Sequence, residues 1–348
     1  MKDRSPGAPL SDAAAWDAYV AAHPQATPFH SRAWCEAVTK ATGHLCHLVT
    51  ARDAGGALTG LLPLHHVRSP LFGQALVGSG FAVDGGILAD DPTIAAPLAE
   101  GAATMAKSLG VPSVELRGGP QPEGEGWRRE DGVYAGFSRA LCSDDDAELL
   151  AIPRKQRAEV RKVLESALTV TSGRDAAERR DHHHVYATSV RNLGTPVFPK
   201  ALFDAVLDAF GDDADILTVR QDGRPVASVL SLYWRGTVMP YWGGGTADAR
   251  RLRANELMYF ALMRHARAKG STRFDFGRSK VGTGPYSYKK NWGFEPQPLV
   301  YARWLAPGET ARDTNPTSAK YRLQVDLWKK LPLWAANRIG PLIARGLG

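Results

Sequence analysis

The 348-residue chain lacks several features that would assign it to a broad structural class. Its three cysteines, Cys35, Cys46 and Cys142, are too few and too scattered for a disulfide framework, which predicts a reducing compartment. No apolar run reaches the roughly 18 residues that a membrane span requires. Asp12 and Asp17 interrupt the alanines near the start, so no signal-peptide core is expected there. The sequence therefore predicts a cytoplasmic protein.

Several catalytic and ligand-binding signatures are also missing. The sequence has no Walker or GxGxxG spacing for phosphates, no GxSxG nucleophile elbow and no Cys/His spacing typical of zinc. His182, His183 and His184 are consecutive on a predicted helix, so they point to different faces and do not favour a shared metal. We expect no metal and no tightly bound cofactor, and a reaction that needs neither a metal nor a protein nucleophile.

Basic residues, by contrast, are concentrated in three segments. The formal charge is +7, from 43 Lys and Arg against 36 Asp and Glu. Residues 154–162 contribute +4, residues 250–290 contribute +9 and residues 317–348 contribute +5, so the rest of the chain carries −11. This distribution predicts an anionic partner: a phosphate-bearing substrate, RNA or a lipid surface. For each of the three segments, the alternative to an anionic partner is a charged helix face that contacts solvent.

The order of predicted elements indicates an α+β protein with two similar halves. Each half offers hairpin strands, then a helix, then a further strand, which is the pattern of a duplicated α/β module. We expect a lead-in over 1–27, a first module over 28–150, a second module over 151–305 and an amphipathic basic C-terminal tail, helical in part, over 306–348. The length allows a sizeable core in both modules.

Three local predictions bear on the candidate site. Residues 119–132 are rich in Gly, Pro and Glu and are predicted to form an exposed loop. A long helix is predicted over 249–269 and ends at Gly270. A strand over 273–276 is predicted to lead into a glycine-rich loop over 277–284.

The strongest candidate site lies in residues 273–294, which read RFDFGRSKVGTGPYSYKKNWGF. The apolar strand delivers Asp275 to its end, where ligands of open α/β sheets tend to bind. Arg278, Ser279 and Lys280 follow, and the two bases suit a phosphate or a carboxylate. A turn with exposed bases is the alternative interpretation.

Lys289 follows Tyr288 in the same segment, within a run of aromatic and basic residues. An ammonium group at the wall of a cleft can stabilise a developing oxyanion. A surface lysine near a core Trp292 is equally consistent with the sequence.

Two further groups are candidates for binding an anion. Arg154, Arg157 and Arg161 are spaced three and four residues apart, so they share one helix face that suits a diphosphate or an RNA backbone. The second group is the end of the strand that carries Tyr241 and Trp242, ahead of the long predicted helix. The backbone at such a helix N-terminus is a candidate anion site, and Asn255 lies just inside the helix, where a structural role is the alternative.

The segments FDFGRSK, GTG and YKKNWGF within residues 273–294 resemble the C-terminal signature of FemAB-like proteins. The resemblance is to the branch associated with exosortase/PEP-CTERM and exopolysaccharide loci, and it covers about 28–345. Other matching segments are GLLPL at 60–64, SPLFG at 69–73, RAEVRK at 157–162, GTPV at 194–197 and WKKLPL at 328–333.

The resemblance implies two GNAT-like (acetyltransferase-like) modules. FemAB-type enzymes transfer an aminoacyl group from aminoacyl-tRNA to an amine of a peptidoglycan precursor. Tyr288 and Lys289 match the family's aromatic–lysine pair, whose lysine lies at the acyl carbonyl, and residues 157–162 match the basic segment near the precursor's phosphates. The chain lacks the long helical hairpin that many FemA and FemB proteins insert for tRNA.

The sequence therefore predicts an acyl or aminoacyl transferase that forms an amide or ester on a phosphate-bearing envelope or exopolysaccharide precursor. Lys289 is the expected electrophile, Asp275 orients the amine or accepts its proton, and Arg278 with Lys280 anchors the substrate. The activated donor is aminoacyl-tRNA or acyl-CoA, so tRNA is one candidate partner.

Two alternatives stay open. The first is an acyl-CoA-dependent N-acyltransferase of the same fold, although 243–253 lacks the usual GNAT pyrophosphate signature. The second is a non-catalytic membrane-surface scaffold for polysaccharide export. Residues 321–345 interleave tryptophans and bases, which suits either docking on the body of the protein or peripheral contact with the inner face of the cytoplasmic membrane.

Overall fold

The structure, a computed structural model, describes residues 13–312 and 322–348 and has a mixed α+β architecture. Its strands are β1 Cys46–Arg52, β2 Leu58–Ser69, β3 Gly73–Gly78, β4 Leu88–Ala89, β5 Ser113–Arg117, β6 Trp127–Ala140, β7 Thr169–Gly173, β8 Ala214–Gln221, β9 Arg224–Trp234, β10 Thr237–Gly245, β11 Arg273–Lys280 and β12 Pro296–Leu305.

Its helices are α1 Ala13–Ala22, α2 Arg32–Thr42, α3 Pro92–Ser108, α4 Asp145–Ala151, α5 Arg154–Leu164, α6 Ala176–Leu193, α7 Lys200–Phe210, α8 Ala249–Leu252, α9 Ala254–Ala268, α10 Gly284–Asn291, α11 Arg322–Lys329 and α12 Leu333–Ala344. None of the described helices combines the length and the apolarity needed to span a bilayer. Parts of the predicted lead-in (1–12) and tail (313–321) lie outside the described residues.

The described residues pack as two units. The first comprises 13–131, 300–312 and 343–348, and the second comprises 132–299 and 322–342. The division along the chain falls within β6, ahead of the module boundary that the sequence predicts at 150/151. The predicted module boundaries divide the sequence, whereas the two units are defined by packing. The module boundaries therefore stay a prediction.

The first unit holds a sheet in the order β1-β2-β3-β5-β12, with β4 paired to β2. Neighbouring strands are antiparallel except for the parallel pair β3 and β5. The alanine-rich helix α3 covers this sheet through Ala95, Ala99 and Ala102, all of which are buried. Small side chains let the helix approach closely: a Cβ on Gly60 of β2 would lie 2.8 Å from Leu98.

The second unit holds a sheet in the order β6-β11-β10-β9-β8-β7, in which β10 and β11 are the parallel pair. Alternate residues of a strand face opposite sides of its sheet. Accordingly, Ala227 and Val229 of β9 join the core formed with α5 and α9, whereas Ser228 between them bonds to His182 of α6. Helices therefore cover both faces of this sheet.

Three local predictions were wrong. Residues 127–132 belong to β6, not to a loop, because the strand continues into partners on β11. The strand at 273 runs through Lys280, since 278–280 pair with 134–136. The helix predicted over 249–269 is interrupted at Arg253, whose φ of 54° is left-handed and whose guanidinium pairs with Glu159 of α5.

The C-terminal helices of the second unit contact α6 and the segment that follows it. Arg191 of α6 donates to the carbonyl of Lys329 at 3.4 Å. A Cβ on Gly194 would lie 2.4 Å from Val325 of α11, and one on Gly340 of α12 would lie 3.0 Å from Val197. Both helices thus contact the end of α6 and the segment after it.

Candidate active site

The parallel strands of the second unit separate after two paired positions. The pairs join Thr237 with Arg273 and Val238 with Phe274, and no later pair joins β10 to β11 in the described chain. Phe274 is fully buried and fixes this end of β11 in the core. Beyond it the two strands border an opening, termed here the β10–β11 cleft.

Each strand carries a β-bulge where the cleft opens. In β10 the inserted residue is Tyr241, between Pro240 and Trp242. In β11 the register shifts between Asp275 and Arg278, and Gly277 within the shift has a φ of 69°. Tyr241 and Gly277 each lie three residues beyond the last paired position of their strand. The two bulges are therefore at the same level and re-aim the backbone on both sides of the cleft.

Asp275 begins the β11 bulge. Its Oδ1 accepts a hydrogen bond from the Gly277 N–H at 2.8 Å. Burial raises the pKa of the Asp275 carboxyl, an effect that this hydrogen bond and the charge of Lys289 only partly offset. A carboxylate with a raised pKa is a better proton acceptor than an exposed aspartate.

Lys289 binds backbone carbonyl groups of the same bulge. It lies on α10, and its Nζ donates to the carbonyl oxygens of Gly277 at 3.0 Å and Arg278 at 2.9 Å. The ammonium also lies 5.4 Å from the centre of the Phe276 ring. Burial lowers the pKa of Lys289 to about 7, against the opposing effect of Asp275. An ammonium has three N–H donors, so one is not used by these two carbonyls.

Tyr288 lies in the aromatic core beneath α10. Its ring centroid is 6.0 Å from that of Tyr259 and 6.3 Å from those of Phe276 and Trp292. Burial raises the pKa of the hydroxyl far above its usual range, and the charge of Glu256 adds to the shift. The phenol is therefore neutral at any physiological pH. Its predicted catalytic role stays a prediction.

The three predicted anchors do not lie together. Arg278, Ser279 and Lys280 are consecutive in β11, so the two bases face one side of the sheet and Ser279 faces the other. The Arg278 guanidinium lies over the Tyr134 ring at 4.6 Å. The buried Ser279 Oγ has no hydrogen-bond partner among the described residues.

The far end of β10 offers groups that fit a phosphate-bearing acyl donor. Asn255 lies against this end: a Cβ on Gly245 would be 3.0 Å from its Oδ1. That oxygen and the Thr246 Oγ1 are buried with no hydrogen-bond partner in the described parts of the chain. Helix α9 starts here without a side-chain cap, so no capping side chain binds its first N–H groups. Arg250 and Arg251 are exposed just ahead of it.

The basic face of α5 forms as predicted, with one exception. Arg154 and Arg161 are exposed, but Arg157 is half-buried and donates to the Leu150 carbonyl at 3.2 Å. Through Glu159, which pairs with Arg253, α5 is fixed beside the start of α9. The basic helix therefore lies next to the start of α9, close to the end of β10.

Residues 154–290 match the family described as "Acetyltransferase (GNAT) domain". This range is a GNAT-like domain. It includes β10, β11, the cleft between them and Lys289. No curated protein matches the chain.

Solved structures similar to the chain share its fold at low identity. FemX superimposes with a TM-score of 0.64 and 16% identity, over 83% of this chain and 95% of its own. A tandem GNAT protein from the clavulanic acid biosynthesis pathway gives 0.54 and 13%, over 85% and 94%. The C-terminal domain of a putative lysylphosphatidylglycerol synthetase from Agrobacterium fabrum gives 0.52 and 14%, over 78% and 86%.

Sequence reasoning missed several parts of the GNAT-like domain. The bulge at Tyr241, the unpartnered Thr246 hydroxyl and the Glu159–Arg253 pair depend on contacts between distant segments. The bulge at Gly277 could have been predicted from the sequence, because a glycine within a strand pattern often marks a bulge. A surface cavity of about 840 Å³ between α4 and α9, lined in part by Arg264 and His265, is not formed by the cleft residues.

The fold also gathers three potential metal ligands, two cysteines and a histidine, that the sequence spacing did not indicate. Atoms of Cys35, Cys46 and His65 in the first unit lie within 4.8 Å of one another. His65 Nδ1 accepts from the Gly80 N–H at 3.0 Å, which leaves Nε2 as the donor to the Cys35 carbonyl at 3.2 Å. The imidazole would have to give up one of these bonds before binding a metal.

Proposed function

We propose that the protein is an acyl or aminoacyl transferase that forms an amide, or an ester, on a phosphate-bearing precursor of the cell envelope or of an exopolysaccharide. One observation carries the proposal: two bulges open the β10–β11 cleft of a GNAT-like domain, and the half-buried Asp275 and the buried Lys289 both bind the backbone of the β11 bulge. The family match supports acyl transfer in general, and the resemblance to FemAB-like proteins supports the choice of acceptor.

The proposed step is a direct transfer. The acceptor nitrogen attacks the carbonyl carbon of the activated donor, and a C–N bond forms as the carbonyl oxygen becomes an oxyanion. When the oxyanion collapses, the C–S bond of a thioester or the C–O bond of an ester breaks, and the leaving group takes up a proton. The proton lost by the amine passes to the Asp275 carboxylate, and its transfer from there to the leaving group restores the carboxylate. Positioning and electrostatics supply the rate enhancement.

Lys289 stabilises the oxyanion in this scheme. Two of its N–H donors are held by the Gly277 and Arg278 carbonyls, which leaves the third for the substrate. Its pKa of about 7 means that the ammonium form needed for this role is lost as the pH rises above neutrality. Asp275 must be ionised to accept a proton, and its raised pKa sets the acid side of the active range.

Binding of phosphates divides between two surfaces. Arg278 and Lys280 on β11, together with Arg154 and Arg161 on α5, are the proposed contacts of the acceptor. The unpartnered Thr246 and Asn255 oxygens and the uncapped start of α9 are the proposed contacts of the donor.

Acyl-CoA as donor is the second candidate, and one observation favours it. The end of β10 combines an uncapped helix N-terminus with the exposed Arg250 and Arg251, which suits a pyrophosphate. A purified-protein assay with acyl-CoA and with aminoacyl-tRNA, each with an amine acceptor, separates the two donors. Mass spectrometry of molecules that co-purify with the protein provides an independent check.

Lys289→Ala tests the assignment of the site. We expect a large loss of turnover, because the oxyanion loses its charged partner. Near-normal turnover in this variant would remove Lys289 from the mechanism. Absence of turnover with either donor, together with lipid binding, would favour the non-catalytic scaffold instead.

A further inference from the structure

Helices α11 and α12 present two chemically different faces. On the docked face, Val325 of α11 packs at Gly194, and Ala336 and Gly340 of α12 are buried, the latter against Val197. Small residues at the contact allow α12 to lie close to the segment after α6.

The larger apolar side chains face solvent instead. Their exposed fractions are high for such residues: Leu327 65%, Trp334 73%, Ile339 44% and Leu342 63%. On α12, Trp334, Arg338 and Leu342 are spaced by four residues and so form one stripe. This stripe lies on the opposite side of the helix from Ala336 and Gly340, since a two-residue offset is a rotation of about 200°.

Basic residues accompany this apolar surface. Lys329, Lys330 and Arg338 are exposed, and Asp326 is the one acid within 322–342. Asp326 lies 3.7 Å from Lys329 and so offsets one charge locally. Apolar side chains that include a tryptophan, interleaved with bases, are the composition of a helix that lies in a membrane interface.

We propose that the exposed face of α11 and α12 is a peripheral membrane-binding surface for anionic lipids. Trp334, Ile339 and Leu342 enter the boundary between headgroups and acyl chains, while Lys330 and Arg338 contact the headgroup phosphates. A second copy of the chain is a poorer occupant, because a twofold contact through this face would set bases against bases. This inference does not depend on the proposed reaction.

Vesicle co-sedimentation of the full chain tests the surface. The probes are vesicles of phosphatidylcholine alone and of phosphatidylcholine mixed with phosphatidylglycerol. We expect binding to the anionic vesicles, weaker binding in high salt and little binding to the neutral ones. Trp334→Ser and Leu342→Ser should each weaken binding by roughly tenfold or more, and Lys330→Gln combined with Arg338→Gln should remove the preference for anionic lipid.

Leu150→Ser is the matched control, because Leu150 of α4 is equally exposed, at 65%, but lies outside the tail. It should leave vesicle binding unchanged. Thermal melting checks that every variant folds, and since all these side chains are exposed, little change is expected. Failure of the intact protein to bind anionic vesicles would overturn the proposal. So would equal binding by the tail variants and the control, or a concentration-dependent dimer that Trp334→Ser abolishes.

Discussion

The two units repeat one strand order but differ in the structure beyond their parallel pair. In the first unit β1-β2-β3-β5-β12 corresponds to β8-β9-β10-β11-β6 of the second. The parallel strands β3 and β5 also pair at just two positions in the described chain, Leu76 with Val114 and Val77 with Glu115. Both units therefore have the backbone geometry that opens a cleft.

In the first unit the chain itself closes the opening. The segment 79–87 folds back over the strand ends, with the Ser79 Oγ donating to the Gly85 carbonyl at 3.0 Å. Gly86 approaches so closely that a Cβ there would lie 2.3 Å from the Gly118 oxygen. Glu115 is paired with Arg312 at 2.8 Å and lies 3.7 Å from Arg117.

In the second unit the corresponding groups are not closed off in this way. Ser279, Asn255 and Thr246 keep buried polar atoms without a partner in the described chain. Buried polar atoms are normally satisfied, so an unpartnered group needs a reason, such as a ligand. The comparison teaches that a repeated topology need not repeat a site: in the first unit the segment 79–87 covers the strand ends, whereas in the second unit the β10–β11 cleft stays open.

The largest expected effect is that of Asp275→Asn in the second unit. The amide cannot accept the proton of the amine, so turnover should fall by about 10²–10⁴-fold while the fold is kept. Steady-state kinetics on the folded variant measure it. Wild-type turnover would show that the buried carboxylate has no part in the transfer.

Lys289→Met should also reduce turnover, by about 10²-fold, and should change its pH dependence. In the native protein activity should fall as the pH rises through about 7, where the ammonium is lost, and the variant should lack this limb. Lys290→Met is the matched control, because the neighbouring Lys290 is exposed. A pH profile that is identical in the native protein and Lys289→Met would contradict the assignment.

Lys289 also makes stability depend on pH. Burial lowers its pKa from 10.5 to about 7, so between these values the unfolded chain binds the proton more strongly than the folded protein does. Raising the pH over this range should therefore stabilise the native protein relative to Lys289→Met. Denaturant unfolding at several pH values measures the difference, and a constant difference would argue against a buried ammonium.

Glu115→Gln should affect stability rather than turnover, which separates the closed unit from the open one. It leaves Arg312 without its charged partner, at a cost on the order of 3 kcal/mol. Although burial raises the pKa of Glu115, the charges of Arg312 and Arg117 lower it overall. The stabilisation is therefore present above the usual carboxyl pKa and is lost as the pH falls, so native and variant should converge in acid. A reduced turnover per folded molecule would contradict this prediction, because it would show that Glu115 in the first unit also affects the reaction.

The smallest expected effect is the difference between substitutions at two glycines that have a left-handed backbone conformation. Gly277 and Gly282 have φ values of 69° and 77°, and neither has a neighbour that a Cβ would meet. Alanine at either position should cost about 1–2 kcal/mol. Turnover should fall only for Gly277→Ala, because only that residue lies in the cleft bulge. Equal activity of the two variants would show that the bulge geometry is not critical.

The sequence predicted the fold class better than the local backbone structure around the candidate site. The α+β class and the hairpin strands followed by a helix and a further strand in each half arise from local patterns that the tertiary structure did not override. The GNAT-like character came from the resemblance, not from the patterns. Strand β6 was missed because its first half is polar and exposed, which local propensity assigns to a loop.

Local reasoning failed at the site for a related reason. The glycine pattern predicts that a loop starts at Gly277, whereas pairing with β6 keeps residues 278–280 in a strand and separates Ser279 from Arg278 and Lys280. Sequence proximity correctly placed Lys289 near the others, but its contact with the Gly277 carbonyl depends on how α10 packs. No pattern in one segment contains that information.

The nesting of the two units has a consequence for biosynthesis. The first unit is completed by residues 300–312 and 343–348, which come after the whole of 132–299 in the chain. Strand β5 therefore gains its neighbour, residues 301–305, and Glu115 gains Arg312 only after residues 132–299 of the other unit have been synthesised. The first unit therefore cannot complete its sheet before residues 132–299 have been synthesised, and we expect a chain that stalls before residue 300 to expose the unfinished edge of β5.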